Sequence, residues 1–280
     1  MPNPIADPLV EGLDRELDTR LVQVEATPEG IATVTLNRPL RRNAMNAELI
    51  AALTEAFETL QGAEGVRAVF VRGAGGIFSA GADLEWMQAA VEYSEADNRE
   101  DAAGLARMLK TLWDMPSLTV ALIEGAAIAG GAGLAAACDM AISTAGAKFS
   151  FSEARLGLVA AIISPYVIDA IGPRNARGLF ASARPFDVEE ALRIGLVTEV
   201  VADAAALDEA QTRIGRDILS CAPGAVTEAK RLVEAVKGRD IDHGLMDETV
   251  RWTARARVGE EGQEGVRAYL GKRRPSWMIE

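Results

Sequence analysis

Apolar and polar residues alternate near the start of the chain and then change to a helical period. The alternating stretches at residues 21–24 and 31–36 predict two strands joined by a turn at Pro28–Gly30. Asn46 can accept a hydrogen bond from the first turn of a helix that follows it. The apolar face of that predicted helix is formed by Leu49, Leu53, Phe57 and Leu60. The pattern therefore predicts two strands followed by an amphipathic helix.

Two largely apolar runs, residues 66–71 and 118–123, are typical of buried strands. The first run leads into the glycine-rich stretch Gly73–Gly76. Between the two runs, Ser94 and Asp97 have the spacing of a capping box that opens a further helix. Its apolar positions are Ala102, Leu105, Leu109 and Leu112, and Pro116 ends it. Strands and helices thus alternate through this half of the chain.

The second half ends in helices alone. Asp187 and Glu190 form another cap pair, Gly195 closes that short helix, and Pro223 suits the first turn of a later one. No strand pattern follows Ala204. The order predicts an α/β fold with a helical C-terminal extension. We divide the chain into a loose acidic arm (1–18), an α/β core (19–203) and a helical region (204–280).

The net charge of the chain limits the classes of partner that it is expected to bind. The 280 residues carry a formal net charge of −12, which argues against binding to nucleic acid or to an anionic membrane surface. A single histidine, His243, and two distant cysteines, Cys138 and Cys221, match no metal spacing. The apolar stretch 118–137 is interrupted by Glu124 and by glycines, so no membrane span is predicted. We expect a cytoplasmic protein without a metal ion.

Two segments rich in small residues follow the predicted buried strands. They are Phe78-Ser79-Ala80-Gly81-Ala82-Asp83-Leu84 and Gly125-Ala126-Ala127-Ile128-Ala129-Gly130-Gly131-Ala132-Gly133-Leu134. Small residues allow a ligand to approach the backbone, and free amides at a helix start attract negative charge. Two such amides on one carbonyl oxygen would form an oxyanion hole. A pair of tight turns is the plainer alternative.

Together these segments resemble the two signature regions of the crotonase (enoyl-CoA hydratase/isomerase) superfamily. Further segments that are similar to this family lie in the same order along most of the chain. They are Asn37-Arg38-Pro39 with Arg41-Arg42-Asn43-Ala44, Cys138-Asp139, Phe149 through Gly157, Ala191 with Gly195-Leu196-Val197, and Lys272-Arg273-Arg274-Pro275. The resemblance implies a spiral of ββα units and an enzyme acting on acyl-CoA. It implies no cofactor beyond the coenzyme A of the substrate, and homotrimers that often pair into hexamers.

The resemblance also assigns roles to residues. It implies that the amides of Ala80 and Gly130 hold the thioester oxygen. Carbonyl groups in two stretches would contact coenzyme A, and the residues concerned are Arg42, Asn43, Ala44, Ala80, Gly81, Ala82, Asp83 and Leu84. Lys272, from this chain or a neighbouring subunit, would meet a CoA phosphate. A solvated surface charge is the alternative for Arg42 and Lys272.

Glu153 matches the second of two glutamates that hydratases of this family use. A carboxylate with a pKa tuned by burial can take a proton from a carbon atom or return one. A glutamate that stabilises a helix dipole is the alternative. The position of the family's first glutamate is Gly133 in this chain, so one of the two acids is missing. We interpret Gly133 as leaving space for a branched acyl group; close packing of two segments is the alternative.

The segment from Glu153 to Leu158, with Ile163-Ser164-Pro165-Tyr166, looks most like bacterial methylglutaconyl-CoA or carboxygeranoyl-CoA-type hydratases. By that resemblance Arg155 would pair with a substrate carboxylate. A surface ion pair is the alternative for Arg155.

Three other functions stay open at this point. A Δ3,Δ2-enoyl-CoA isomerase needs only one base, which suits the missing acid. A non-catalytic acyl-CoA binder would need none. The stretch Gly131-Ala132-Gly133-Leu134-Ala135-Ala136 also fits the G-x-G-x-x-A pattern of NAD oxidoreductases, although that pattern leaves Glu153 and the first glycine-rich segment unused. Hydration of a 2-enoyl-CoA is the function we expect.

Overall fold

The computed structural model describes residues 21–278, so the predicted arm 1–18 lies outside the described residues. A six-stranded sheet forms its centre, in the order β1-β2-β3-β4-β6-β9. These strands are β1 (Val22–Ala26), β2 (Ile31–Leu36), β3 (Ala68–Gly73), β4 (Leu118–Ile123), β6 (Met140–Thr144) and β9 (Glu199–Val201). Only β1 and β2 pair antiparallel; the other neighbours are parallel. The predicted strand 118–123 is confirmed, whereas β3 begins two residues later than the apolar run suggested.

A second, three-stranded sheet was not anticipated from the sequence. It contains β5 (Ala126–Ile128), β7 (Lys148–Ser150) and β8 (Phe186–Asp187), in the order β5-β7-β8. These strands have two or three residues each, too short for an apolar period to show. After β4 the chain alternates between the sheets: β5, β7 and β8 lie in the small sheet, and β6 and β9 return to the large one.

The predicted caps of the helices in the first half are confirmed. Helix α1 (Ala47–Gly62) begins after Asn46, whose side chain accepts the amide of Leu49. The short helix α2 (Leu84–Ala90) follows, and then α3 (Glu95–Trp113), which opens with the capping box of Ser94 and Asp97. Helices α1 and α3 pack against each other, and α1 covers β1 and β2.

Further helices follow β5, and the first of the C-terminal ones covers the second face of the large sheet. Helix α4 (Gly130–Ala136) follows β5, and α5 (Ser164–Ser182) and α6 (Val188–Ile194) precede β9. From Ala204 onward the described chain forms α7 (Ala204–Leu219), α8 (Pro223–Val236), α9 (His243–Val258) and α10 (Glu260–Leu270). Leu207 and Ile214 of α7 pack on Phe70 and Val120 of the sheet. Parallel strands buried on both faces explain why β3 and β4 are apolar without alternation.

The structure therefore has an α/β fold with helices at its C-terminal end, as the sequence predicted. No helix within residues 21–278 is both long enough and apolar enough to cross a membrane.

Candidate active site

The two glycine-rich segments lie side by side. The amide of Ser79 donates to the carbonyl of Ala126 at 3.0 Å, and the amide of Ile128 donates back to the carbonyl of Ser79 at 3.0 Å. Gly81 has a φ of +92°, and a Cβ there would lie 3.0 Å from the carbonyl oxygen of Ile128. Glycine is required at this crossing because other residues avoid that conformation and would crowd the neighbouring strand. The first segment is thus joined to the strand that leads directly to α4.

A buried asparagine fixes the approach to the first segment. The Asn43 side chain is fully buried and donates to the carbonyls of Ala74 and Ile77 at 2.9 and 2.6 Å. Its oxygen accepts the amide of Arg38 at 2.9 Å. The Ser79 hydroxyl donates to the carbonyl of Asn43 at 2.9 Å. The sequence placed Asn43 in a stretch expected to contact coenzyme A. Its role in joining loops depends on partners that are distant in the sequence.

The prediction that the amide of Ala80 donates to the thioester oxygen is wrong. The Ala80 amide donates to the carbonyl of Arg42 at 2.9 Å and cannot also face a substrate oxygen. The Gly81 amide is bonded to the Ser79 hydroxyl at 3.3 Å, and the Asp83 amide to the carbonyl of Met45 at 2.8 Å. The Ala82 amide has no hydrogen-bond partner within residues 21–278. It is therefore the open amide of this segment, and sequence spacing alone gave no signal that separated it from Ala80.

The amide of Gly130 stands at the first position of α4. The first amides of a helix have no partner within the helix, and none is present for Gly130 in the described part of the chain. Ala129 before it has a φ of +46° and a ψ of −115°, and its amide is held by the carbonyl of Ser150 at 2.8 Å. A strained residue that is fixed by a neighbouring strand is typical of functional sites. The Gly130 amide is therefore open to a ligand, and its role as an oxyanion donor stays a prediction.

Glu153 begins a four-residue 3₁₀ turn, Glu153–Leu156, just after β7. The preceding strand is anchored by rings: Phe149 stacks on Phe186 with centroids 5.6 Å apart, and Phe151 meets Phe180 edge-on at 5.1 Å. Because β7 also holds Ala129, this anchoring ties the position of Glu153 to that of Gly130.

The carboxylate of Glu153 is in an unusual state. Its Oε2 atom is buried and has no hydrogen-bond partner among the described residues. Burial raises its pKa above the ordinary value of 4.5, and a bond from its own backbone only partly opposes this. A carboxylate that merely stabilised a helix start would accept amide bonds there, as Asp187 does. An orphaned carboxylate oxygen with a raised pKa is instead suited to exchanging a proton with a ligand.

The space predicted at Gly133 is absent. A Cβ placed on Gly133 would lie 2.1 Å from Cγ2 and 2.6 Å from Cβ of Ile163. Ile163 is 2% exposed, so its side chain fills this volume rather than leaving it for an acyl branch. Our interpretation of Gly133 as a source of free space is therefore wrong, and close packing is the reason for glycine here. The sequence singled out Ile163 only as part of a resembling segment, and its contact with Gly133, thirty positions away, left no signal in the spacing.

The three cations predicted to meet substrate are exposed. Arg42 lies in a left-handed turn with a φ of +51°, Arg155 on the 3₁₀ turn of Glu153, and Lys272 in the turn after α10. None of them forms an ion pair with another residue in 21–278. Arg155 thus lacks the surface ion pair that was its alternative explanation. Contact of these side chains with a substrate stays a prediction.

Asp83 and Ala44 have structural partners. The Asp83 carboxylate accepts the amides of Glu85 and Trp86 as the cap of α2 and pairs with Arg38 at 3.0 Å. Burial opposes ionisation of Asp83, but these amides and the guanidinium outweigh it and lower its pKa. The same guanidinium donates to the carbonyl of Ala44. The carbonyls of Ala80 and Ala82 have no protein partner within the described chain and remain available to a ligand.

A cleft of about 1030 Å³ lies elsewhere, between α8 and the ends of α3 and α4. None of the predicted site residues lines it. Its charged residues Lys230 and Asp139 pair with each other at 2.7 Å. The site residues predicted from the sequence thus lie outside this cleft.

Comparison with known proteins gives one consistent result. The family described as Enoyl-CoA hydratase/isomerase matches residues 26–279. The solved structure of Pseudomonas aeruginosa AtuE is 37% identical with a TM-score of 0.87, over 92% of this chain and 100% of that one. An enoyl-CoA hydratase from Shewanella pealeana is 34% identical with a TM-score of 0.90, over 95% and 98%. The mitochondrial Delta(3,5)-Delta(2,4)-dienoyl-CoA isomerase of Mus musculus is 32% identical, over 90% and 80%.

The structure also removes the nicotinamide-binding alternative. In that motif the glycines form a loop between a strand and a helix. Here Gly131 and Gly133 lie inside α4, and their close neighbours are Ser79 and Ile163 rather than open space. No backbone cradle for a pyrophosphate is present at these glycines.

Proposed function

This chain belongs to the enoyl-CoA hydratase/isomerase family, and from that premise we propose that it hydrates a 2-enoyl-CoA with Glu153 as its single acid–base carboxylate. The observation that carries the proposal is the buried, unpartnered Oε2 atom of Glu153. A desolvated carboxylate holds its proton more tightly and therefore accepts one more readily from water or carbon. The chemistry of the family gives this group its reaction: proton exchange next to a thioester.

The proposed reaction adds the hydroxyl of water to C3 and a proton to C2. The Glu153 carboxylate takes a proton from the attacking water as the C3–O bond forms. The electron pair of the double bond moves to C2 and the thioester oxygen, giving an enolate. The same carboxyl group then returns the proton to C2. One carboxylate is enough when both additions occur on one face of the substrate.

The amides of Ala82 and Gly130 would hold the thioester oxygen while it carries negative charge. Support comes from their lack of protein partners and from the hydrogen bonds that join their two segments. A preorganised donor of this kind is worth roughly 3 kcal/mol to the transition state. The carbonyls of Ala80 and Ala82, with Arg42 and Lys272, would contact coenzyme A.

The finer assignment is a branched, glutaconyl-type acyl group, in which Arg155 would meet the second carboxylate of the substrate. Its support is the resemblance of the segment after Glu153 and the exposed, unpaired guanidinium of Arg155. An Arg–carboxylate pair is a strong, directional contact, so Arg155→Gln should raise KM for a glutaconyl-type substrate and leave crotonyl-CoA little changed.

Isomerisation of a 3-enoyl-CoA is the second candidate, and the packing of Ile163 on Gly133 favours it. An aliphatic side chain where a second acid would stand gives water no hydrogen bond, and moving a double bond needs no water. A turnover screen with matched 2-enoyl-CoA and 3-enoyl-CoA thioesters separates the two. Hydration of any 2-enoyl-CoA supports our proposal; isomerisation without hydration replaces it, and binding without turnover would indicate a non-catalytic protein.

We further propose a homotrimer or homohexamer. Helices α9 and α10 expose several large apolar side chains, which is unusual for a free surface. They include Met246, Val250, Val258, Val266, Tyr269 and Leu270, with exposures between 53% and 84%. Lys272 directly follows this surface, where a neighbouring subunit would reach it. Light scattering after size-exclusion chromatography tests the assembly.

A further inference from the structure

The side chain of Ile163 fills the volume next to Gly133 and leaves no room for a Cβ atom at position 133. An added Cβ at position 133 would come within 2.1 Å of Ile163 Cγ2 and 2.6 Å of Ile163 Cβ. Rotating the side chain of Ile163 moves Cγ2 but not Cβ, so no rotamer relieves the overlap. The nearest remaining atom, Ile163 Cα, would be 3.7 Å away. Residues 133 and 163 are therefore a sterically coupled pair.

Ile163 is also close to the chemical groups of the site. Gly133 follows Gly130 by less than one helical turn, so the contact lies about 4.5 Å along α4 from the open Gly130 amide. On its other side Ile163 stands just before α5, which packs against both α4 and the 3₁₀ turn of Glu153. The side chain thus packs on the helix that begins with the proposed oxyanion donor, and it belongs to the segment that joins the turn of Glu153 to α5.

The segment that delivers Ile163 is apolar throughout. Between the turn that Gly157 closes and the start of α5, residues 158–163 read Leu-Val-Ala-Ala-Ile-Ile. Its first residue, Leu158, donates its amide to the carbonyl of Glu153 at 3.1 Å. Its last residue, Ile163, is 2% exposed and belongs to the main core. A β-branched side chain anchored in the core is a stiff wall.

We propose that Ile163 is a specificity-determining residue, whose side chain forms a rigid aliphatic wall beside Glu153 and limits the size of the acyl group accepted there. The same side chain keeps position 133 a glycine and so restricts the site to one carboxylate. This inference rests on the proposed function, because it assumes that an acyl group lies against Glu153. It concerns the substrate's acyl portion and not its coenzyme A.

Shortening the wall tests its effect on selectivity. We compare kcat/KM for 3-phenylpropenoyl-CoA and crotonyl-CoA in the wild type, Ile163→Val and Ile163→Gly. One methylene in a hydrophobic pocket changes discrimination between substrates by roughly 10–200-fold. The kcat/KM for 3-phenylpropenoyl-CoA divided by that for crotonyl-CoA should therefore rise at least tenfold in Ile163→Val and further in Ile163→Gly. A ratio within twofold of the wild type in both variants overturns the proposal.

A failure of the proposed function gives a different result from a failure of the inference about Ile163. A wild-type protein that turns over no 2-enoyl-CoA and no 3-enoyl-CoA contradicts the function but leaves the wall open to measurement. The corresponding selectivity is then the ratio of the association constants, 1/Kd, of 3-phenylpropanoyl-CoA to butanoyl-CoA, measured by calorimetry. A rise in that ratio supports the wall, and an unchanged ratio overturns it.

The steric coupling is tested by a double-mutant cycle on thermal unfolding. Gly133→Ala should lower Tm by several degrees, because the added Cβ overlaps Ile163. Ile163→Gly removes the overlapping atoms, so Gly133→Ala/Ile163→Gly should be less destabilised than the sum of the two single changes. Gly178→Ala is the matched control, since a Cβ on that helical glycine meets nothing within 4 Å. Strict additivity, or a Gly133→Ala variant as stable as Gly178→Ala, would show that the two residues are not coupled.

Discussion

The amide of Ala80 is bonded to the carbonyl of Arg42 at 2.9 Å. This bond joins two segments that are thirty-eight positions apart and determines which amide of the first glycine-rich segment can face a ligand. With Ala80 engaged, the open amides are those of Ala82 and of Gly130 at the start of α4. The bond also holds residues 42–44 next to residues 79–83.

Removing the Gly130 amide should disable the enzyme, and circular dichroism checks that the variant is folded. Proline is well tolerated at the first position of a helix and lacks the N–H group. We expect Gly130→Pro to lower kcat by about 10²–10³-fold, the usual effect of losing one oxyanion donor. Gly130→Ala is the matched control, because it keeps the amide and its Cβ would lie 3.4 Å from the sulfur of Met45, an ordinary contact. Equal kcat values in the two variants, both with native circular dichroism, would remove Gly130 from the oxyanion hole.

Glu153→Gln should abolish most turnover without weakening the binding of acetoacetyl-CoA. The carboxamide keeps the shape of the side chain but cannot carry the proton, and such groups are worth about 10²–10⁴-fold. Steady-state kinetics and calorimetry on the same preparation measure both effects. A loss of less than tenfold would assign the acid–base role to another residue.

The raised pKa of Glu153 also predicts the pH dependence of stability. Folding disfavours the ionised carboxylate, so the native state binds this proton more tightly than the unfolded chain does. The destabilising effect of Glu153 is absent below its ordinary pKa of 4.5, grows as pH rises above that value, and is complete above the folded pKa. Glu153→Gln should therefore be more stable than the wild type at neutral pH and no more stable at pH 4. A Tm difference that does not change between these pH values would contradict the burial of an ionisable carboxyl.

The pH dependence of the activity should also follow the ionisation of Glu153. Hydration starts from the carboxylate, so kcat/KM should rise with pH through a pKa above 4.5. A pH–rate profile whose acidic limb stays at or below 4.5 would show that burial does not tune Glu153.

Asn43→Ala should destabilise the loops that present the site. Its buried side chain forms three hydrogen bonds, and its removal leaves two carbonyls and one amide without their partners. We expect a loss of roughly 2–4 kcal/mol in the free energy of unfolding, measured with urea. Asn98→Ala is the control, because its amide also donates to three carbonyls but is exposed, and its effect should stay within about 0.5 kcal/mol.

Local patterns in the sequence determined most of the architecture. The caps at Asn46, Ser94 and Asp187, the buried strand 118–123 and the helices after Ala204 depend on neighbours a few positions away. The periods and the caps therefore predicted these elements directly. Glu153 was singled out by the resemblance of the short segment around it to the hydratases of the family, and not by a period or a cap.

Tertiary structure decided the details of the site. Which amide is open depends on the bond between Ala80 and Arg42, and the volume at Gly133 depends on Ile163; both partners are distant in sequence. The small sheet was equally hidden, since strands of two or three residues carry no readable period. Contacts between distant residues fix the direction of an amide and the filling of a volume, and no spacing along the chain records either.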